Sequence, residues 1–275
     1  MAHRFKKWII LIVLGLLIGV GIFGYETLSI FHYGKSVIQL EVLISHRGGA
    51  GPENTIEAYD LAIKRGYRIL EADIKITMDE IPVLLHDLSI DRTSNGTGNV
   101  QEMTFDKLRT YDFGSWYDDA FVGTLIPPLD EFLTFCREKR IVAELDLVND
   151  NIATDKIKVI YDVVATNNML YNTIFTVTLE QAKVLEQMNS NLILCITGIV
   201  DEESLQKALS STLSCKMLLM SIPYEYLEKD LCKKCHDNNC IVKTWTVNNV
   251  LDVREALSIG ADLVITDKVT KNDLI

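Results

Sequence analysis

Residues 69–86, ILEADIKITMDEIPVLLH, decide the fold. Two aliphatic runs, 69–76 and 82–86, are separated by little more than the polar stretch TMDEIP. That is too little chain for a right-handed crossover helix, so the two runs form a hairpin. With Asp79-Glu80 as the turn, Asp73 is expected opposite His86 and Lys75 opposite Leu84. Further runs at 42–45, 141–146, 173–177, 192–197, 217–222, 241–247 and 262–266 bring the total to nine. Removing 82–86 as the hairpin's return leaves eight. Helical stretches at 53–65, 128–139, 152–168, 179–189, 201–210, 223–238 and 249–259 alternate with them. The expected fold is a (β/α)8 barrel over 41–275, with an insertion at the mouth over about 88–127.

The start of the chain is different in kind. Eighteen uncharged residues, 8–25, lie between Lys7 and Glu26, enough for a helix of about 27 Å, close to the hydrocarbon thickness of a bilayer. Arg4, Lys6 and Lys7 precede it, so the expected topology is a cytoplasmic 1–7, a single transmembrane anchor at 8–25, a linker at 26–40 and an extracytoplasmic barrel at the cell membrane. A cleaved signal peptide needs a shorter apolar core and small residues before the cut, and no alanine lies between His3 and Gly49. The first 24 residues hold three of the 27 basic residues and none of the 38 acidic ones. A barrel this acidic repels phosphate backbones, which excludes nucleic acid as a partner. An anionic substrate would need a local positive centre.

Function in such a barrel collects at the C-terminal ends of its strands. There the sequence places His46 and Arg47, then Glu71 and Asp73, then His86, then Glu144 and Asp146. Residues two apart on a strand share a face, so Glu71 with Asp73 and Glu144 with Asp146 turn four carboxylates toward one mouth. Carboxylates so crowded cannot all stay ionised unless a cation joins them, and hard oxygen donors suit Ca2+ or Mg2+. One such pair alone would be an ordinary acidic rim. His46 and His86 suit proton transfer near neutral pH, and Arg47 offers a fork for phosphate. Cys232, Cys235 and Cys240 with His236 lack the second pair of a zinc site, and no metal is assigned there.

Six separated segments, HRGGAGPENTIEAYDLAIKRG, LEADIKITMDEIPVLLHD, DRTSNGTGNV, IPPLDEFL, TWTVNN and GADLVITD, resemble the glycerophosphodiester phosphodiesterases from about His46 to Asp267. That family is in turn similar to the phosphatidylinositol-specific phospholipase barrels. The resemblance implies a divalent cation and hydrolysis of a small glycerophosphodiester to glycerol 3-phosphate and an alcohol. It further implies His46 and His86 as the acid/base pair, Glu71, Asp73 and Glu144 as metal ligands, and Arg47 on the phosphate. Glu53 and Asn54 would support the site, with Asn54 as helix cap an equal reading. Trp245 would wall the pocket, unless it is a core residue.

The sequence departs from the family after Glu144, where Asp146 stands in place of a phosphate-binding lysine. At about 4 Å one unit charge is worth about 1 kcal/mol in water and about 4 at an intermediate dielectric. Asp146 therefore becomes an added metal ligand, is offset by a base such as Lys243, or weakens the site. The last case would leave a non-catalytic barrel that binds phosphodiesters. A lysophospholipase D-type activity is the other alternative. Met78 and Glu80 depart from the family at the hairpin turn.

Overall fold

A computed structural model describes residues 37–38, 41–148 and 152–275. The expected anchor at 8–25 lies outside the described residues, as do 1–7 and most of the linker. Among the described residues no helix is long and apolar enough to cross a membrane.

Among the described residues there are nine strands, β1 (Leu43–Ser45), β2 (Ile69–Ile76), β3 (Pro82–Leu84), β4 (Val142–Asp146), β5 (Thr173–Val177), β6 (Ile193–Ile196), β7 (Met217–Pro223), β8 (Ile241–Trp245) and β9 (Leu263–Thr266). Eight of them are parallel and close on themselves, since β1 pairs with both β2 and β9. β3 runs antiparallel along β2, outside the ring. The helices are α1 (Ile56–Lys64), α2 (Phe105–Leu108), α3 (Leu129–Lys139), α4 (Thr154–Thr166), α5 (Leu179–Met188), α6 (Glu202–Ser210), α7 (Lys229–Asp237) and α8 (Val250–Ile259). Apart from α2, which belongs to the insertion, they alternate with the strands as a (β/α)8 barrel requires. The helix expected over 223–238 starts late, because Leu227 and Glu228 adopt extended dihedrals after a 3-10 turn at Tyr224–Tyr226.

The hairpin register differs from expectation by one residue. Lys75 pairs with Val83 and Ile74 with Leu84. Glu80 takes a left-handed conformation at φ 63°, and the Thr77 amide donates to the Ile81 carbonyl at 3.1 Å. The loop is therefore three residues long rather than two. A one-residue slip exchanges the faces of every later side chain. Leu85, not His86, lies against Asp73, donating its amide to the Asp73 carbonyl at 3.0 Å. His86 comes after the strand's end.

Alternation sorts the barrel's interior into a dry lower half and a polar upper half. Ile69, Val142, Ile174, Ile193, Met217 and Leu263 point inward at the lower level and pack together, with Ile38 among them. Two residues further along β2 and β4 stand Glu71 and Glu144, and two further still Asp73 and Asp146. The insertion carries a small core of its own, including Val83, Leu85, Ile90, Leu108 and Phe113. Phe113 is buried there, whereas Trp116 and Tyr117 are partly exposed.

Candidate active site

The ladder between β2 and β4 sets Glu71 beside Glu144 and Asp73 beside Asp146. Carboxylate oxygens of Glu71, Asp73 and Asp146 all lie within 4.8 Å of one another. Burial, followed by Asp73 and Asp146, holds the Glu71 carboxyl well above the usual range. Burial and Asp73 also raise that of Asp146. Crowding of this kind is relieved by a cation.

Glu144, expected as the third ligand, is placed differently. Its Oε1 pairs with the Lys243 ammonium from β8 and accepts from the Thr176 hydroxyl at 2.7 Å. Its Oε2 is buried without a hydrogen-bond partner. Lys243, considered as a counter-charge to Asp146, thus meets Glu144 first; burial opposes its charge, but Cys195, Glu144 and Asp146 together raise its pKa. Three clustered carboxylates and one orphaned carboxylate oxygen form an all-oxygen donor set that fits a hard divalent cation.

Both histidines line one pocket of about 170 Å3, together with Glu71, Asp73, Asp146 and Trp245. Each is oriented by an aspartate. His46 Nδ1 lies 2.7 Å from Asp267 Oδ1, and Asn248 donates to Asp267 Oδ2 at 2.6 Å. His86 Nδ1 lies 2.6 Å from Asp87 Oδ1, and Arg92 Nε donates to Asp87 Oδ2 at 2.7 Å. Arg92 foremost, against some burial and with help from His86, brings the Asp87 carboxyl down to about 2. An ionised aspartate at Nδ1 fixes the proton there and leaves Nε2 for chemistry.

The strand-to-helix turn after β1 depends on glycine. A Cβ on Gly48, at φ 90°, would stand 2.5 Å from that of Ala58, and one on Gly49 would stand 2.6 Å from the Asp267 carbonyl oxygen. Arg47 sits in this turn at φ 50° and donates its amide to Glu71 Oε2 at 3.0 Å. Its Nε is 2.9 Å from Asp73 and its NH1 3.4 Å from Glu53. Burial opposes its charge, but Asp73, Glu71 and Glu53 raise its pKa overall. Glu53 in turn receives both terminal nitrogens of Arg92 at 2.8 Å.

Asn54 is not the helix cap. Thr55 caps α1, accepting from the Ala58 amide, while Asn54 Nδ2 donates to Asp73 Oδ2 at 2.9 Å and its Oδ1 accepts from Tyr59 at 3.0 Å. Trp245 is 42% exposed and lines the pocket, which sets aside the core reading. The roles of Asp87, Arg92, Asp267 and Thr176 were not anticipated from sequence. The His86-Asp87 dipeptide was a local signal; the other three act across the fold.

A family model described as the glycerophosphoryl diester phosphodiesterase family matches residues 46–271. Among named relatives, a glycerophosphodiester phosphodiesterase of Caldanaerobacter subterraneus subsp. tengcongensis is 25% identical over 233 residues, covering 82% of this chain and 93% of the relative. The human glycerophosphodiester phosphodiesterase 1 is 36% identical over 123 residues, and the chain spans 37% of its length in a match that covers 43% of this chain. Among solved structures, a glycerophosphodiester phosphodiesterase from Agrobacterium tumefaciens is 25% identical with a TM-score of 0.69, covering 82% of this chain and 96% of that one. A phosphodiesterase from Oleispira antarctica, solved with the product sn-glycerol-3-phosphate, has a TM-score of 0.75 at 21% identity, covering 82% of this chain and 93% of that one.

Proposed function

The chain belongs to the glycerophosphoryl diester phosphodiesterase family, and on that premise we propose that it hydrolyses small glycerophosphodiesters to glycerol 3-phosphate and an alcohol, with His46 and His86 as the acid/base pair and a divalent cation bound. The observation that carries this reading is the pair of histidines, each held by an aspartate, facing one pocket with three clustered carboxylates. That the Oleispira antarctica structure holds sn-glycerol-3-phosphate supports the choice of product.

Glu71, Asp73 and Asp146 would hold the cation, with the orphaned Glu144 Oε2 as the remaining donor. When bound it supplies positive charge against the phosphoryl oxygens. The protein's own groups do the proton work. One imidazole Nε2 takes the proton of the glycerol 2-hydroxyl as that oxygen attacks phosphorus, and the other gives a proton to the departing alcohol. Water then opens the cyclic phosphate with the two roles reversed. Asp267 and Asp87 stabilise the imidazolium that forms on each side. Arg47, already among carboxylates at the mouth, turns its guanidinium to the phosphate. Trp245 forms one wall of the pocket.

Residues 8–25 make this a membrane-anchored enzyme with its barrel outside the cell, on the length and flanking charge of that segment. The experiment is release of glycerol 3-phosphate from glycerophosphocholine by the full chain in detergent, with Ca2+, Mg2+ or chelator, beside His46→Ala and His86→Ala. Metal-dependent turnover lost in both variants supports the proposal. Binding without turnover, unchanged in both variants, would instead favour a non-catalytic phosphodiester-binding barrel.

A further inference from the structure

Among the described residues before β1, Val37 and Ile38 lie at one face of the barrel. Ile38, 2% exposed, packs with Ile69, Val142, Ile193 and Leu263, the lowest inward-facing residues of their strands. Residues 37–38 therefore lie at the N-terminal floor. The catalytic pocket opens at the opposite end, lined by Asp73 of β2, Asp146 of β4 and Trp245 of β8.

Charge follows the same axis. Arg68, Lys139 and Arg140 are exposed at the floor, at the start of β2 and the end of α3. Several acidic groups there are engaged, Glu41 by Lys271 at 3.5 Å, Asp237 by Lys233 at 2.6 Å and Asp262 by His236 at 2.9 Å. The mouth end carries Glu180 and Glu203 in the first turns of α5 and α6, and Asp118 and Asp119 on the insertion, while Glu202 there is engaged by Lys234 at 2.6 Å. Acidic first turns and basic last turns match the helix dipoles. They also give the molecule a floor compatible with anionic headgroups and a mouth that is repelled by them.

Resting on the anchor proposed above, we infer that the floor is the face laid against the bilayer and that the mouth looks away from it, so the enzyme takes its diesters from the aqueous side rather than from lipids of the membrane that holds it. Only residues 26–36 separate the apolar segment from the floor. Eleven residues reach at most about 36–40 Å. For the mouth to face the same bilayer, that stretch would first have to cross half the floor, beneath a strand and a helix about 10–12 Å in diameter. It would then have to run the barrel's height, about 20 Å for a helix as long as α4, and pass the insertion as well. The first two alone use about 30–35 Å of a fully stretched linker, which leaves too little to pass the insertion.

The test uses the full chain in phosphatidylcholine vesicles containing phosphatidylglycerol and an energy-accepting headgroup dye. Donor dyes are placed singly at Lys139→Cys on the floor or Val122→Cys on the insertion, in a Cys215→Ser background, because the other native thiols are buried. Transfer to the bilayer is expected to be several-fold stronger from position 139 than from 122. A version with about twenty Gly/Ser residues inserted between Gly34 and Lys35 should narrow the difference, since a flexible linker of that length lets the barrel turn over. Equal transfer from both positions, or stronger transfer from 122, overturns the inference, as does hydrolysis of lysophosphatidylcholine in those vesicles at the rate of soluble glycerophosphocholine. If an alkaline wash strips the chain from the vesicles, the anchor falls and this inference with it. Turnover of glycerophosphocholine in detergent reports separately on the catalytic reading.

Discussion

The Lys243 ammonium on β8 reaches across the barrel's interior to Glu144 Oε1 on β4, with both side chains fully buried and Thr176 bonded to both. Breaking a buried pair leaves one charge without compensation, which costs about 3–5 kcal/mol. Lys243→Met should therefore lower the urea midpoint strongly, and the Glu144→Gln, Lys243→Met double variant should recover part of the loss. A double variant as unstable as the sum of the two singles would mean that the pair does not act as a unit.

Asp146 is predicted to act with opposite signs on stability and on metal binding. Without a cation it crowds Glu71 and Asp73, so Asp146→Asn should raise the melting temperature of chelated protein, by about 2–4 °C for each kcal/mol of repulsion removed. The same change removes one of three clustered oxygen donors, so affinity for Ca2+ or Mg2+ should fall about tenfold or more in a calorimetric titration. Unchanged affinity would remove Asp146 from the donor set.

Much of this architecture could be read from period-2 patterning. The run Ile69, Glu71, Asp73 carries its face in the spacing alone, and the matching run Val142, Glu144, Asp146 predicted four carboxylates on one rim. The hairpin register could not be read so well, because it depends on Glu80 adopting a left-handed conformation that its side chain does not advertise. Partners distant in sequence were harder still. Lys243 lies 99 residues from Glu144, and Asp267 lies 221 residues from His46. Nothing local tells a carboxylate bound for a lysine from one bound for a metal; the closed barrel decides that by bringing β8 opposite β4.

Asp87 supplies a pH test. Its carboxyl falls from 3.8 to about 2 in the folded protein, chiefly through Arg92. A carboxylate with a depressed folded pKa contributes stability above its unfolded value and loses it as the pH falls through the folded one. The stability gap between the wild type and Asp87→Asn should thus be constant from about pH 5 to 7 and close between about pH 4 and 2. Urea midpoints at pH 6, 4 and 2.5 would measure it. A gap that widens on acidification would exclude the ion pair as its source.

Asp267 offers the sharpest separation of positioning from binding. It holds His46 through Nδ1 and is itself fixed by Asn248 from both sides, since Asn248 Oδ1 also accepts from the Asp267 amide at 2.7 Å. Asp267→Asn keeps the shape but lets Nδ1 accept a hydrogen bond, which puts the proton on Nε2 in the wrong tautomer. Such a change should reduce kcat by about 10²–10⁴-fold, the usual scale of acid/base catalysis. KM should be little affected, because the side-chain hydrogen bonds of Asp267 go to His46 and Asn248 and not to the carboxylate cluster or Arg47. Groups that act as a unit are not additive. The Asp267→Asn, His46→Ala double variant should therefore be no slower than His46→Ala alone, whereas combining Asp267→Asn with His86→Ala, on the other dyad, should cost more than either single change. Additive losses with His46→Ala would show that Asp267 acts other than through that imidazole.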